Sequence, residues 1–298
     1  MTGPAAFVAF ILSVSLAWAA TPARAAPLLD PIDPSAQRQA ASRCMLVARN
    51  LQRQALPVRM VRATGSKPQI AENPWLQRSA YEPPEVRIRY AGHATFIIET
   101  PQGVRIATDF SGAYGSDPLP DVVTMNHAHI THWTPIPDPE IQHVLKGWAD
   151  ADGTPAQHWL AVGDALIRNV PTDIRDGIAM ERAGNSIFIF EVADLCIGHL
   201  GHLHHPLTDA HHAAIGRLDI VMVPIDGGLT LSTDAMAALV GRLQARIVLP
   251  MHRRYSPIEN FLSRVRGEFD VRFEPTDTID VSIRTLPRTP TIVILEGV

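Results

Sequence analysis

Three histidines lie close together in residues 126–132, at His127, His129 and His132. They directly follow the apolar run 122–125, which predicts a short buried strand. Side chains alternate along an extended backbone, so His127 and His129 should point to one side, and the following turn should bring His132 near them. Neutral imidazole is the commonest nitrogen ligand of zinc, at about 2.0–2.1 Å. The spacing therefore predicts half of a metal site.

Two other apolar runs also end in histidine. Residues 195–197 precede His199 and His202, and residues 246–249 precede His252. Strand ends that converge on one edge of a sheet are a common way to build a site. We therefore predict a metal cluster drawn from distant parts of the chain. Its predicted ligands are His127, His129, His132, His202 and His252.

The whole chain limits the class of protein. Its 298 residues are enough for one large core, and the net charge of −4 with a pI near 6.3 argues against a nucleic-acid partner. Two cysteines give no disulfide framework, and Cys196 within an apolar run is expected to be a small core residue.

The N-terminus has the pattern of an export signal. Residues 5–20 are apolar, and Ala23-Arg24-Ala25 fits a small-x-small cleavage site. We predict a signal peptide at 1–25 and an exported, periplasmic mature protein. An uncleaved anchor is the alternative, because no Lys or Arg precedes the apolar run.

Two further segments complete the predicted organisation. Residues 26–84 should form an N-terminal extension with one helix over 35–56, followed by an irregular stretch. The arginines of this helix could contact a membrane surface or a partner, but we expect a solvated helix packed on the main domain. Residues 85–298 should form one domain of strands with interspersed helices, an α/β fold of sheet layers covered outside by helices. Strands are predicted at 86–90, 94–99, 104–108, 122–125, 159–162, 165–170, 186–192, 195–198, 220–224 and 247–250, and helices at 209–215, 233–244 and 258–267.

From about residue 90 to 273 the chain resembles the metallo-β-lactamase superfamily. The matching segments are 90–96, 106–109, 126–132, 199–202 and 250–252, in the order that the superfamily has them. The first is similar to the Gly-His opening of the branch that contains ascorbate-phosphate lactonase and the N-acyl-phosphatidylethanolamine phospholipase D. The resemblance implies a four-layer αββα sandwich and a metal-dependent hydrolase.

The metal motif departs from the family pattern. Thr131 stands where the family carries an aspartate, and His202 stands where it carries the aspartate that bridges two metals. The family's middle histidine has no counterpart in residues 169–175, where Asp173 is either a substitute ligand or a turn residue.

These departures bear on the number of metal ions. Two divalent ions about 3.5 Å apart repel by roughly 19 kcal/mol at an effective dielectric near 20. A neutral imidazole at His202 cannot bridge them as a carboxylate does. We therefore expect one tightly held zinc ion and at most a weaker second ion, with manganese and iron as alternatives. His127, His129 and His202 would leave a fourth position open, and His132 and His252 would hold a second ion or transfer protons.

Other residues could support the site. His93 and Asp109 are expected to orient ligands from behind, and Asp109 could equally be an ordinary turn residue. Thr131 and Asp226 are the predicted catalytic positions, although Asp226 precedes glycine and also fits a plain turn.

The flanking histidines and arginines carry weaker signals. Arg253 and Arg254 could receive a phosphate group. The other histidines in the run from residue 199 to 212 could bind metal by composition alone, but most are expected on the surface; they are His204, His205, His211 and His212.

The predicted function is a metal-dependent hydrolase that uses metal-bound hydroxide on a small-molecule ester, lactone or phosphodiester. The alternative is a non-catalytic exported protein that binds a metal or ligand on the same fold, because both motif carboxylates are replaced.

Overall fold

The computed structural model describes residues 41–45, 82–127, 129–176 and 179–298. The predicted signal peptide lies outside the described residues, as does the 26–84 extension apart from 41–45 and 82–84, so both stay predictions. Within the described part, residues 43–45 are helical, inside the range where a helix was predicted. No described helix has both the length and the hydropathy needed to cross a bilayer.

Most regular structure is strand. The strands are β1 (Val86–Gly92), β2 (Thr95–Glu99), β3 (Arg105–Ala107), β4 (Val122–Met125), β5 (His143–Lys146), β6 (Trp159–Val162), β7 (Ala165–Asp176), β8 (Ala179–Val192), β9 (Leu195–His199), β10 (Ile220–Pro224), β11 (Ile247–Met251), β12 (Asp270–Phe273), β13 (Thr278–Val281) and β14 (Thr291–Ile294). The helices are α1 (Asp209–Ile215), α2 (Thr233–Leu243) and α3 (Ile258–Val265).

The strands form two sheets. One has six strands in the order β13-β1-β2-β3-β4-β5, and the other has eight in the order β12-β14-β11-β10-β9-β8-β7-β6. Alternate side chains of both sheets share one apolar cluster, which includes Phe96 and Ile106 from the first sheet and Phe188 and Leu249 from the second. Burying each such side chain contributes about 1.5–3 kcal/mol, so this shared layer holds the sheets face to face.

The outer faces of the sheets are covered differently. The opposite face of the eight-stranded sheet packs its Val221 and Val223 against Met236 of α2 and Phe261 of α3. The opposite face of the six-stranded sheet is covered by loop residues such as Phe110. The predicted α/β fold with two sheets is therefore confirmed, while the described residues place no helix in the fourth layer.

Four strands were not predicted from the sequence. These are β5, β12, β13 and β14, each four residues long. Their pattern is weak: β12 is exposed at every position, and its strand state comes from pairing with β14. The hairpin β7–β8 is also longer than predicted, and its extra residues include Arg175 and Glu181 beside the histidines.

Parallel pairing positions the histidine-bearing loops. In the second sheet β9, β10 and β11 run parallel, so the loops that begin after each of them start at one edge. Those loops carry His202, Asp226 and His252. In the first sheet β4 ends at the same side of the sandwich and delivers residues 126–132. Because each buried strand ends at this side and a loop follows it, residues more than a hundred positions apart in the sequence lie close together there.

The two cysteines form a disulfide between Cys44 and Cys196, with a Cα–Cα distance of 5.9 Å. Cys196 is buried in the core as expected, but the expectation of no disulfide was wrong, because sequence spacing cannot show that residue 44 folds back onto β9. Nearby, the carboxylate of Glu191 accepts hydrogen bonds from the Ser42 hydroxyl and from the Arg168 guanidinium. These contacts attach residues 42–44 to β7 and β8.

Candidate metal centre

Four imidazoles converge at the edge of the sandwich. One ring nitrogen from each of His93, His129, His132 and His252 lies within 4.8 Å of the other three. The His93 and His252 ring centroids are 4.2 Å apart, and those of His129 and His132 are 4.5 Å apart. The group draws on the loop before β2, the loop after β4 and the residue after β11. We call these four residues the histidine group.

Buried ring nitrogens in this region have no hydrogen-bond partner. They are the Nε2 atoms of His129, His132, His202 and His252. Leaving a buried polar atom unpaired costs about 1–3 kcal/mol, so four such atoms together call for an explanation. A divalent cation bound by neutral imidazoles would satisfy those of His129, His132 and His252, which belong to the histidine group. Imidazole nitrogen suits zinc, copper, iron and nickel, so the donor set fits a transition metal.

Asp109 holds His132 in place from behind. Its Oδ2 accepts a hydrogen bond from Nδ1 of His132 at 2.8 Å, and its Oδ1 accepts one from Nδ2 of Asn126 at 2.5 Å. Both Asp109 and His132 are fully buried. The bond to Nδ1 selects the tautomer that leaves Nε2 unprotonated, which is the form a metal requires. This is the orienting contact that was expected of Asp109.

Asp226 is hydrogen-bonded to His252 in the same way. Its Oδ1 lies 3.1 Å from Nδ1 of His252 and also accepts the Thr230 hydroxyl, while its Oδ2 accepts main-chain N–H groups of Gly228 and Leu229. Both oxygens are therefore occupied. We predicted a catalytic role for Asp226, but the structure places it behind a histidine, where it can orient the ring.

Thr131 lies between two rings of the histidine group. Its Oγ1 is 2.9 Å from Nε2 of His93 and 2.6 Å from Nδ1 of His129. A hydroxyl oxygen has two lone pairs, so it can accept from both rings at once. The hydroxyl thus spaces the two imidazoles at the position where the resembling family has an aspartate.

His202 lies against the group but outside the set of four. Its ring centroid is 4.8 Å from those of His132 and His252 and 5.1 Å from that of His129. Its Nδ1 is 2.6 Å from Nε2 of His204, whose Nδ1 in turn accepts the main-chain N–H of Arg175. The main chain at His202 is fixed by Asn185, whose Oδ1 accepts its N–H at 2.9 Å.

The structure places His127 apart from the histidine group. Its Nδ1 lies 2.8 Å from Oε1 of Glu181, and its ring stacks on Trp148 at 5.2 Å between centroids. The ring of Trp133 lies 5.6 Å away on another side. The expectation that His127 joins the cluster has no counterpart in this geometry, because the residues after β4 leave the strand as a turn and direct it elsewhere. His93, expected only to support the ligands, stands in the group instead.

Burial favours the neutral form of His93, His129 and His132, because desolvation lowers the pKa of each ring. Desolvation lowers the pKa of His93 to about 4 and holds that of His132 well below its ordinary value, with neighbouring rings adding to the effect. Burial also raises the pKa of Asp109 to about 6. Burial alone would also raise the pKa of Asp226, but hydrogen bonds from His252 and Thr230 outweigh it, so the pKa of Asp226 is lowered. Neutral imidazole is the form that binds a metal.

Several residues of the site have positive φ angles. The angles are 55° at His93, 42° at Asp109, 52° at His252 and 51° at Arg254. Such conformations cost roughly 1–3 kcal/mol each in non-glycine residues and cluster at functional sites. At His252 the strain is compensated in part by a hydrogen bond from its N–H to the carbonyl of His93 at 2.8 Å. The bend places two rings of the group side by side.

Two cavities open over the histidines. The larger, of about 650 Å³, is lined by His93, His129, Thr131, His202, His204, Tyr114, Gly228, Leu229, Arg175 and Arg254. A second, of about 340 Å³, shares His129 and Arg175 with it and includes Ile130, Trp133 and Ile174. The described residues that line the larger cavity include two arginines and no carboxylate. It would therefore attract an anion.

Sequence reasoning missed two residues of this region. Glu181 lies in the part of β8 that was not predicted, and no pattern pointed to it. His204 was expected on the surface, although its spacing of two from His202 is a signal that both rings could share a side. Asp173 is not in the group; its Oδ1 accepts the N–H of Ala183 within the β7–β8 hairpin.

Comparison with known proteins agrees with this geometry. A family model described as beta-lactamase superfamily domain matches residues 87–252. UPF0173 proteins of Pyrococcus furiosus and Pyrococcus abyssi are 24% and 25% identical over 183 residues, which is 56% of this chain and 83% of each relative. A crystal structure from Thermotoga maritima, described as a candidate Zn-dependent hydrolase of the metallo-β-lactamase superfamily, is 25% identical. The match covers 70% of this chain and 98% of the Thermotoga maritima chain, with a TM-score of 0.51.

Proposed function

Because the chain belongs to the metallo-β-lactamase superfamily, we propose that it is a hydrolase that depends on one zinc ion held by the histidine group. The observation that carries the proposal is the convergence of four imidazole nitrogens within 4.8 Å, where buried Nε2 atoms otherwise lack partners. A single compact group supports one ion rather than two. Manganese and iron are alternatives that metal analysis distinguishes.

The protein's own residues prepare this site for hydrolysis. A zinc ion, when bound, supplies polarisation of the scissile group and a water nucleophile at neutral pH. Asp109 and Asp226 each accept the Nδ1 proton of a histidine and so direct its Nε2 lone pair toward the centre. Thr131 holds His93 and His129 apart. The four histidines thus have fixed orientations before any ion arrives.

The cavity lining favours one substrate class among esters, lactones and phosphodiesters. Arg175 and Arg254 both line the larger cavity, and no acidic residue does so in the part of the chain that the structure describes. Guanidinium groups pair with phosphate oxygens in a bidentate manner. The charge balance supports an anionic phosphodiester over a neutral ester or lactone. Arg253 and Arg254 were both predicted to contact a phosphate. We now propose this contact for Arg254 alone, because Arg254 is exposed and lines the larger cavity.

The proposal is tested by metal analysis combined with a substrate panel. We expect about one zinc ion per chain, turnover of a phosphodiester, and loss of both in His129→Ala and His252→Ala. His212→Ala is the matched control, since His212 lies on α1 outside the group. Substoichiometric metal in the wild-type protein, or equal activity in all three variants, would refute the proposal.

A second candidate is a non-catalytic zinc-binding protein. It is favoured by one observation: no carboxylate belongs to the group of ligating atoms found among the described residues. Thr131→Asp separates the two functions. A hydrolase that lacks its motif carboxylate should gain activity from this change, whereas a binder should take up zinc tightly and hydrolyse no substrate in either form.

We also propose that the protein is exported. The support is the Cys44–Cys196 disulfide together with the predicted signal at 1–25. Disulfides persist in oxidising compartments and are rare in the reducing cytosol. Cell fractionation with thiol labelling tests this: the chain should be found in the periplasmic fraction with no reactive thiol. Recovery in the cytosol with two free thiols would contradict it.

A further inference from the structure

The proton positions around His202 follow from a main-chain donor. The amide nitrogen of Arg175 can only donate, so Nδ1 of His204, which bonds to it, must accept. A neutral imidazole has one N–H, so the proton of His204 is on Nε2. That Nε2–H faces Nδ1 of His202 at 2.6 Å, which must therefore also accept. The single proton of His202 is left on Nε2.

The opposite assignment is excluded by the same contacts. If Nδ1 of His204 carried the proton, its N–H would face the main-chain N–H of Arg175, and two donors would meet with no acceptor between them. The amide itself is held in position, because Arg175 lies in β7 and is paired with Met180 of β8. Burial lowers the pKa of both His202 and His204, which agrees with neutral rings.

His202 therefore differs from its neighbours. His132 and His252 donate through Nδ1 to carboxylates and have a lone pair on Nε2. His202 has a proton on the same atom, and that atom is buried without a partner beside them. A protonated nitrogen cannot coordinate a cation. The absence of His202 from the set of four mutually close ligating atoms agrees with this difference.

We propose that His202 is a hydrogen-bond donor to an oxygen of the substrate and not a metal ligand. His204 is a positioning residue: it accepts from the Arg175 amide and donates to Nδ1 of His202, so the proton of His202 stays on Nε2. His202 lines the larger cavity, and its Nε2 is a buried atom without a partner among the described residues, so a substrate oxygen that reaches this end of the cavity would satisfy it. A donor placed where negative charge develops typically contributes a factor of 10²–10³ in kcat. This role in turnover rests on the proposed hydrolase, whereas the tautomer does not.

The tautomer is tested directly on the wild-type full chain. Two-bond ¹H–¹⁵N correlation spectra of the imidazoles should show His202 and His204 protonated at Nε2, and His132 and His252 protonated at Nδ1. After loading with ¹¹³Cd, couplings from the metal should reach His132 and His252 and not His202. A proton on Nδ1 of His202, or a ¹¹³Cd coupling to that ring, would overturn the proposal.

Two variants of His204 provide opposite outcomes. His204→Gln can still accept from the Arg175 amide and donate to His202, so His202 should keep its Nε2 proton. His204→Glu can only accept, so the proton of His202 should move to Nδ1 and free Nε2 for metal. We expect zinc affinity about 10-fold higher in His204→Glu and unchanged in His204→Gln, by analogy with other outer hydrogen bonds to ligands. Identical spectra and affinities in the two variants would count against the relay.

His202→Ala separates this inference from the proposed function. We expect zinc affinity within about 3-fold of wild type and a 10²–10³-fold loss of kcat on a phosphodiester, with partial recovery in His202→Gln. Loss of zinc in His202→Ala would make His202 a ligand and refute the inference while leaving the hydrolase intact. If wild type shows no turnover, the proposed hydrolase fails, and the imidazole spectra still decide the tautomer.

Discussion

The carboxylate of Asp109 accepts hydrogen bonds on both oxygens, one from Nδ1 of His132 at 2.8 Å and one from Nδ2 of Asn126 at 2.5 Å. The two donors come from the same loop, six residues apart. Asn126 also accepts the N–H of Ser186 at 2.8 Å, which ties the loop to β8 in the other sheet. The orientation of His132 is therefore set by contacts that span the sandwich.

Asp109→Asn should lower zinc affinity by about 10–100-fold. An asparagine has one accepting oxygen, so its NH₂ group must face either Asn126 or His132, both of which donate. Isothermal titration with zinc measures the change. Asp219→Asn is the control, because Asp219 is a buried carboxylate that accepts the N–H of Cys196 at the other end of β10. Equal zinc affinity in wild type and Asp109→Asn would show that the contact does not orient a ligand.

His129→Ala should reduce zinc affinity far more than His127→Ala does. His129 is in the histidine group, whereas Nδ1 of His127 is engaged by Glu181. Losing a hydrogen bond to a ligand lowers metal affinity by at most roughly 100-fold. Because His129→Ala removes a ligand itself, we expect it to lower zinc affinity by more than that, whereas His127→Ala should change it by no more than about 3-fold. Competition with a chromophoric chelator gives both values. A comparable loss in the two variants would restore His127 as a ligand.

Thr131→Val should weaken zinc binding by about 10-fold, because it removes the hydroxyl that is hydrogen-bonded to His93 and His129 and keeps nearly the same volume. Thr131→Ser retains the hydroxyl and should bind zinc as wild type does. The measurement is again a zinc titration, with thermal melting to confirm folding. Equal affinity in Thr131→Val and Thr131→Ser would indicate that the hydroxyl does not space the rings.

Removing the disulfide should destabilise the fold without altering the metal site. Cys44→Ser with Cys196→Ser should lower the free energy of unfolding by about 2–5 kcal/mol. Urea unfolding with and without a reductant measures it. The reductant should destabilise wild type and leave the double variant unchanged, since only wild type has a bond to break. An effect of the reductant on both proteins would point to a different cause.

Gly201→Ala should destabilise the site loop by about 1–3 kcal/mol through overpacking, with a further cost from its φ of 59°. A Cβ there would lie 2.4 Å from Nδ2 of Asn126 and 2.4 Å from Oδ1 of Asn185. Gly228→Ala is the control, because a Cβ at Gly228 meets no atom within 4 Å. Chemical denaturation should separate the two variants clearly. Equal stability would mean that the Asn126 side chain can move freely.

Much of this protein could be predicted from its sequence, because local rules suffice for those features. Short apolar runs predicted β4, β6 and β10 at their observed bounds, and α1 was also predicted at its observed bounds. Histidine at the ends of apolar runs correctly marked where a cluster forms. What each histidine does depends on a turn or on a distant partner. His127 leaves the group to meet Glu181, and His93 joins it because the backbone bends at residues 93 and 252.

Only the tertiary structure decided the roles of His202 and of Cys196. A histidine carries the same atoms wherever it lies, and which nitrogen holds the proton depends on the hydrogen bonds around it. For His202 those come from His204 and from an amide of β7, 27 positions earlier in the chain than His202. Cys196 pairs with a residue 152 positions away. Sequence patterns report local geometry, whereas tautomers and crosslinks depend on contacts that the folded sheets create.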